Sequence, residues 1–171
     1  TGSPEYLIFD GGSGLRALAK EIMAKKVSGA TFHIFLSHFH YDHIQGIPFF
    51  APAYAPSNRI VFHGGHRGIE KFLREQMREP FFPISFDTFE ADITFEEHQC
   101  DEVIEVCDSK ITIFQQNHPG LSYGYRVENN GKTMVYSTDC EHKNEAHSKN
   151  YPYLDFIREA DLLIFDAPYT L

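Results

Sequence analysis

Tryptophan is absent from this 171-residue chain, cysteine occurs three times, and no apolar run is long enough to span a bilayer. The three cysteines, Cys100, Cys107 and Cys140, are odd in number and show no CxxC spacing. That argues against a disulfide framework or a cysteine-based zinc knuckle and fits the reduced thiols of a cytoplasmic protein. Positive charge is also scarce, with 15 Lys and Arg against 24 Asp and Glu and a net charge of -9. A general nucleic-acid or anionic-membrane binder presents a basic face, so nucleic acid is a disfavoured partner, though not an excluded one. An anionic small substrate stays admissible, because a bound metal ion adds strong local positive charge. No secretory signal pattern and no low-complexity stretch or linker stands out, and the length suits one domain over residues 1–171.

The aromatic content rests on 16 Phe and 9 Tyr, which predicts an aromatic core. Residues 5–10 form a short apolar run read as a buried strand, ending in Asp10-Gly-Gly-Ser-Gly14. This glycine-rich turn has neither a following Lys-Ser/Thr nor a GxGxxG pattern, so it reads as a structural strand-to-helix turn rather than a phosphate loop. Leu15, Leu18, Ala19, Ile22 and Met23 keep helical spacing over 15–26. Strands are expected at 32–37, 59–63, 88–95, 102–106, 110–115, 122–128 and 132–137, with a buried strand at 161–166. Helices are expected at 68–77 and 153–160, a helical piece breaking into a Pro-rich loop at 44–52, and a loop at 80–84 whose aromatics need burial. Asn129-Asn130-Gly131 is a strong hairpin signal. The mixture indicates an α/β layered fold.

The chemistry concentrates in Leu36-Ser-His38-Phe-His40-Tyr-Asp42-His43, directly after an apolar strand. Neutral imidazole and carboxylate are the standard ligands of zinc and other divalent first-row ions. In extended conformation His38, His40 and Asp42 would share one face, with a turn bringing His43 round. Open metal sites draw on several strand ends. His118 follows the strand at 110–115 and Asp139 follows that at 132–137, which makes them the candidates to complete the set. His142, close behind Asp139, is a candidate for facing substrate. His33 reads as a structural histidine inside its strand, His63 and His66 as cleft-lining at most, and His98 and His147 as exposed.

The HxHxDH pattern of His38, His40, Asp42 and His43, followed by His118 and Asp139, resembles the metallo-β-lactamase fold superfamily. Phe9-Asp10-Gly-Gly-Ser-Gly14 is similar to its first motif, whose Asp is a structural or supporting residue. The segments at 46–54, 118–126 and 161–169 resemble the ribonuclease Z and phosphodiesterase-like branch. The resemblance implies a four-layer αββα sandwich with a dinuclear site. His38, His40 and His118 would hold the first ion, Asp42 and His43 the second, and Asp139 would bridge both. Zinc is the expected metal, with manganese or iron also admissible. Where lactamases of this fold often carry Cys the chain has Asp139, so antibiotic hydrolysis is not implied. The resemblance further leads one to expect strands before Asp10 and a last metal-binding histidine after Asp166, so the chain reads as truncated at both ends with an incomplete second site.

The activity implied is a metal-dependent hydrolase, foremost a phosphodiesterase acting on a small-molecule or nucleotide phosphodiester, with a metal-bridging hydroxide as nucleophile. Asp42 would hold or deprotonate that nucleophile and His142 would protonate the leaving oxygen. Three alternatives stay open at this level. One is a thioester, lactone or sulfate-ester hydrolase of the same fold. Another is a catalytically impaired metal-binding module. The last is a di-iron redox enzyme, against which His40 counts, because that branch carries Glu there.

Overall fold

The computed structural model of the chain describes residues 3–142 and 144–166. It divides into two compact units, residues 1–97 and 98–171.

The first unit is built on four parallel strands in the order β1-β2-β3-β4: β1 Glu5–Phe9, β2 Thr31–Leu36, β3 Arg59–Gly64 and β4 Asp92–Glu97. Sheets of parallel strands are covered on both faces, and the sequence of β2, Thr-Phe-His-Ile-Phe-Leu, reads accordingly as a near-continuous apolar run. Alternate residues Phe32, Ile34 and Leu36, with Ile60 and Phe62 of β3, join a core that includes Leu15, Ala19 and Ile22 of helix α1 (Gly14–Ala24). Ile69 and Leu73 of helix α3 (Ile69–Gln76) belong to the same core. Phe32 has no solvent exposure, and truncating such a side chain costs about 3–5 kcal/mol. Between β2 and β3 lie a single helical turn, α2 (Tyr41–Ile44), and two 3-10 turns, Ile47–Phe49 and Ala51–Tyr54, which is the broken helical piece expected around the prolines.

The second unit carries five strands in the order β5-β6-β7-β8-β9: β5 Val103–Val106, β6 Ser109–Gln116, β7 Ser122–Asn129, β8 Lys132–Ser137 and β9 Leu162–Phe165. Pairing is antiparallel up to β8, and β9 joins β8 in parallel after helix α4 (Pro152–Ile157). Asn129 pairs with Lys132, leaving Asn130 and Gly131 as a two-residue loop with φ of 49° and 71°. Two positive φ values define the hairpin turn whose twist suits the flanking strands, which is why the Asn-Gly signal is reliable. Val135, Tyr153 and Phe156 form a buried cluster joined by Phe114, whose ring stacks on Phe156 at 4.6 Å.

Several expectations shift. The strand expected over 88–95 begins at Asp92: Ser85 caps a 3-10 turn at Phe86–Thr88 by accepting the Asp87 N–H, and the Glu90 and Ala91 N–H groups both go to the Ala53 carbonyl. Phe81 in the 80–84 loop is 66% exposed, whereas Phe82 packs against the first core. The strand at 161–166 is present but not buried: Leu162, Leu163, Ile164 and Phe165 are all exposed, since β9 is an edge strand among the described residues. His98 was expected in solvent, yet its side chain is 8% exposed and paired with Glu102 at 3.2 Å.

Candidate functional site

In the first unit the register Phe9↔Phe35 brings the ends of β1 and β2 level, so Asp10 stands beside Ser37. Asp10 adopts a φ of 60°, a left-handed conformation that Asp tolerates better than most residues. Its Oδ1 accepts the Ser37 N–H at 2.7 Å. Its Oδ2 accepts the Ser37 hydroxyl at 2.7 Å and the His43 Nδ1–H at 2.7 Å. Since the Ser37 hydrogen is given to the carboxylate, the Ser37 oxygen is left to accept from His38 Nδ1, 3.0 Å away. One carboxylate thereby fixes the proton on Nδ1 of two histidines and leaves Nε2 of each as a lone-pair donor. This is the arrangement by which an outer carboxylate orients metal-binding imidazoles.

The donor atoms themselves converge. His38 Nε2 lies 2.9 Å from His40 Nδ1, close to the separation of about 3.3 Å between two nitrogens on one tetrahedral zinc ion. His43 Nε2 lies 3.4 Å from Asp42 Oδ2. The expected extended alternation of His38, His40 and Asp42 ends at His40, which caps α2, so Asp42 and His43 sit together in a helical turn. The glycine-rich turn proves structural. Gly11 donates to the His43 carbonyl and Gly46 donates to the Gly11 carbonyl, each at 2.7 Å. A Cβ at Gly12 would run into the Asp42 carbonyl oxygen, and one at Gly46 into the Gly12 carbonyl oxygen. The close approach of these two backbones is what seats the Asp42–His43 turn.

In the second unit His118 and Asp139 come together, Nε2 to Oδ2 at 3.9 Å, with Glu141 Oε1 3.7 Å from His118 Nδ1. Asp139 also has a left-handed backbone, φ 53°, and its N–H donates to Asp166 Oδ1 at 2.7 Å. Burial, and then the neighbouring Asp139 carboxylate, hold the Asp166 carboxyl above its usual range. His142 is held by aromatic neighbours: its Nδ1 lies 3.1 Å from the Tyr151 hydroxyl, and its ring packs edge-on against Tyr153. Burial pushes the Cys140 thiol up to about 11. Cys100, Cys107 and Cys140 form no disulfide.

His33 and His63 take no part in this cluster. They form a buried pair, His33 Nδ1 to His63 Nε2 at 3.0 Å, and His63 Nδ1 lies 3.5 Å from Glu96 Oε2. This agrees with the structural role read for His33. Sequence patterns gave no sign of Ser37, a small residue at the end of an apolar run. Asp166 could have been found, because it follows an apolar strand as Asp139 does. The residues that the sequence nominated thus fall into two sets, His38, His40, Asp42 and His43 in one unit and His118 and Asp139 in the other. Both sets consist of nitrogen and carboxylate donors that fit a divalent ion.

Among known proteins the chain is 24% identical over 168 residues to the probable metallo-hydrolase YhfI of Bacillus subtilis, covering 98% of this chain and 62% of that protein. The crystal structure of YhfI matches 95% of this chain and 59% of its own, with a TM-score of 0.64 at 23% identity. Ribonuclease Z of Haloarcula marismortui is 27% identical over 130 residues, 72% of this chain and 38% of that protein. The crystal structure of a diphosphatase from the PhnP family covers 92% of this chain and 54% of its own, with a TM-score of 0.62 at 20% identity. The chain therefore spans between 38% and 62% of the length of these relatives. Its two sheets with helices are those of the metallo-β-lactamase fold, in the α/β class expected. A model of the beta-lactamase superfamily domain matches residues 6–170, and the chain belongs to that family.

Proposed function

We propose that this chain carries a metal-dependent hydrolase, specifically a phosphodiesterase with a dinuclear centre. The observation that carries the reading is the orientation of His38 and His43 by Asp10 and Ser37, which turns two Nε2 lone pairs toward the same side chains that the family pattern nominates. In this reading His38, His40 and His118 would hold one ion and Asp42 and His43 the other, with Asp139 available to both. Zinc suits a set rich in imidazole, and the carboxylates also admit manganese or iron. When bound, two such ions supply Lewis-acid chemistry, acidifying water at neutral pH and neutralising charge that develops on phosphoryl oxygens.

The chain's own residues would do the rest. Asp42, with its side chain 73% exposed and its Oδ2 beside His43, accepts a proton from the attacking water. His142, held by the Tyr151 hydroxyl, delivers a proton to the leaving oxygen. Residues 1–171 act as one hydrolase domain, and three cysteines outside any disulfide go with a cytoplasmic setting. Relatives named as a ribonuclease and a diphosphatase support an organic or nucleotide phosphodiester as substrate. No helix among the described residues is long and apolar enough to cross a membrane.

The test is to load purified protein with zinc or manganese, count ions per chain, and follow release of nitrophenol from bis(nitrophenyl) phosphate. Turnover should vanish on chelation and return with metal, and the double variant His38→Ala/His40→Ala should lose both metal and turnover. Retained hydrolysis by that variant would sink the reading.

A further inference from the structure

His118 and Asp139 leave strands that are not neighbours. In the order β5-β6-β7-β8-β9, strand β7 separates β6 from β8, so their axes lie about 9–10 Å apart. Yet the His118 and Asp139 side chains end 3.9 Å from one another. The two side chains meet across β7 only if both strand ends are held facing one another.

One side chain spans that gap. Gln116, the last residue of β6 and 2% exposed, donates from Nε2 to the Thr138 carbonyl at 2.6 Å and accepts at Oε1 from the Ser137 hydroxyl at 2.8 Å. Thr138 immediately precedes Asp139, and Gln116 stands two residues before His118. The path crosses β7 over Gly124, the neighbour of Phe114, where any Cβ would collide with Gln116 Oε1. The bridge needs a glycine beneath it, and the sequence has one.

The direction of every hydrogen in the chain is settled by its ends. Gln116 Oε1 can only accept, so Ser137 donates to it and Tyr153 donates to Ser137 at 2.9 Å. Farther out, the same two segments are joined by the Glu141 N–H to the Asn117 carbonyl at 2.7 Å and by Asn117 Nδ2 to the Glu141 carbonyl at 3.1 Å. These outer bonds clamp the loops, whereas Gln116 acts at the strand ends from which the two side chains spring.

We propose that Gln116, reaching over Gly124, is the positioning residue that sets the His118–Asp139 geometry and so tunes metal affinity. This rests on the reading of His118 and Asp139 as ligands. Outer partners that orient ligands typically change metal affinity about 10- to 100-fold when removed. Gln116→Met keeps the unbranched shape and removes both hydrogen bonds. Gly124→Ala leaves the amide intact and displaces it, pressing on the Phe156 ring as well.

The experiment measures zinc affinity by competition with a chromogenic chelator, alongside thermal unfolding, for the full chain and four variants: Gln116→Met, Gly124→Ala, Val135→Ala and His118→Ala. Val135 is fully buried and packs in the cluster of Tyr153 and Phe156, so its truncation loosens the packing around the bridge while leaving both hydrogen-bonding groups of Gln116 in place. The expected result is a loss of about 10- to 100-fold in affinity for Gln116→Met and Gly124→Ala, with Val135→Ala within about twofold of the unaltered chain. Unchanged affinity in Gln116→Met overturns the proposal while His118→Ala still weakens binding. Affinity that falls in Val135→Ala as far as in Gln116→Met overturns it too, since the effect would then follow stability. Unchanged affinity in His118→Ala overturns the ligand reading itself, and the proposal with it.

Discussion

Asp10 and His43, 33 positions apart in the chain, are joined by a 2.7 Å hydrogen bond from Nδ1 to Oδ2, both side chains nearly closed to solvent. The same carboxylate holds Ser37 through two further bonds. It is therefore the fixed point from which the rings of His38 and His43 take their tautomer.

Asp10→Asn tests this. The amide can still accept from the Ser37 N–H, but its NH2 group then faces the Ser37 hydroxyl and His43 Nδ1, where an acceptor is required. Metal affinity should fall by about 10- to 100-fold, the usual effect of losing an orienting partner. Titration with a chelator-buffered zinc series checks it; affinity within twofold of the unaltered protein would count against the orienting role.

His33 offers a pH test away from the side chains proposed to hold metal. Burial lowers its pKa below the ordinary 6.5, so the folded chain holds it neutral while the unfolded chain takes up a proton below about pH 6.5. Glu5 and Glu96 oppose the shift, Arg59 adds to it, and His63 is the direct partner. The stabilisation is complete above pH 6.5 and is lost as pH falls from there through the lowered folded value. Urea midpoints measured from pH 8 to pH 5 should therefore fall more steeply for the unaltered chain than for His33→Gln. Parallel curves would show that the buried pair does not govern this limb.

Gly46→Ala should be among the most damaging single-carbon additions in the chain, because the new Cβ meets the backbone oxygen of Gly12 rather than a movable side chain. Overpacking of this kind costs about 1–3 kcal/mol. Chemical denaturation reads the loss, and metal uptake should weaken with it, since the Asp42–His43 turn rests on the same contact. Gly14→Ala, where a Cβ meets nothing, is the matched control.

Much of this molecule was legible in the sequence because its signals are local. The Asn-Gly hairpin and the apolar β2 each state their structure within a few residues and lie near their expected positions, whereas the HxHxDH run declares its donor atoms but not the helical turn that carries Asp42 and His43. What escaped depends on partners distant in the chain. Ser37 matters only because β1 delivers Asp10 beside it, and Gln116 only because Gly124 opens a path to Ser137. The exposure of Leu162 to Phe165 follows from the place of β9 at a sheet edge, which an apolar run of four residues cannot declare. The expected start of β4 is displaced by the Ser85 capping bond and by the Glu90 and Ala91 N–H groups going to the Ala53 carbonyl, both of which compete with strand extension.

The parallel pairing of β1 with β2 makes alignment a chemical variable. Phe9 stands opposite Phe35, so the chain leaves both strands at one level and Asp10 meets Ser37. Successive residues of a strand face opposite ways, so a slip of one position would send the carboxylate, or the histidines, to the wrong side of the sheet. Extra residues in the turn between α1 and β2 leave that alignment untouched, whereas a single residue inserted within β2 would abolish it. The tolerance of this protein to insertion should accordingly change from permissive to forbidding within a few positions of Thr31.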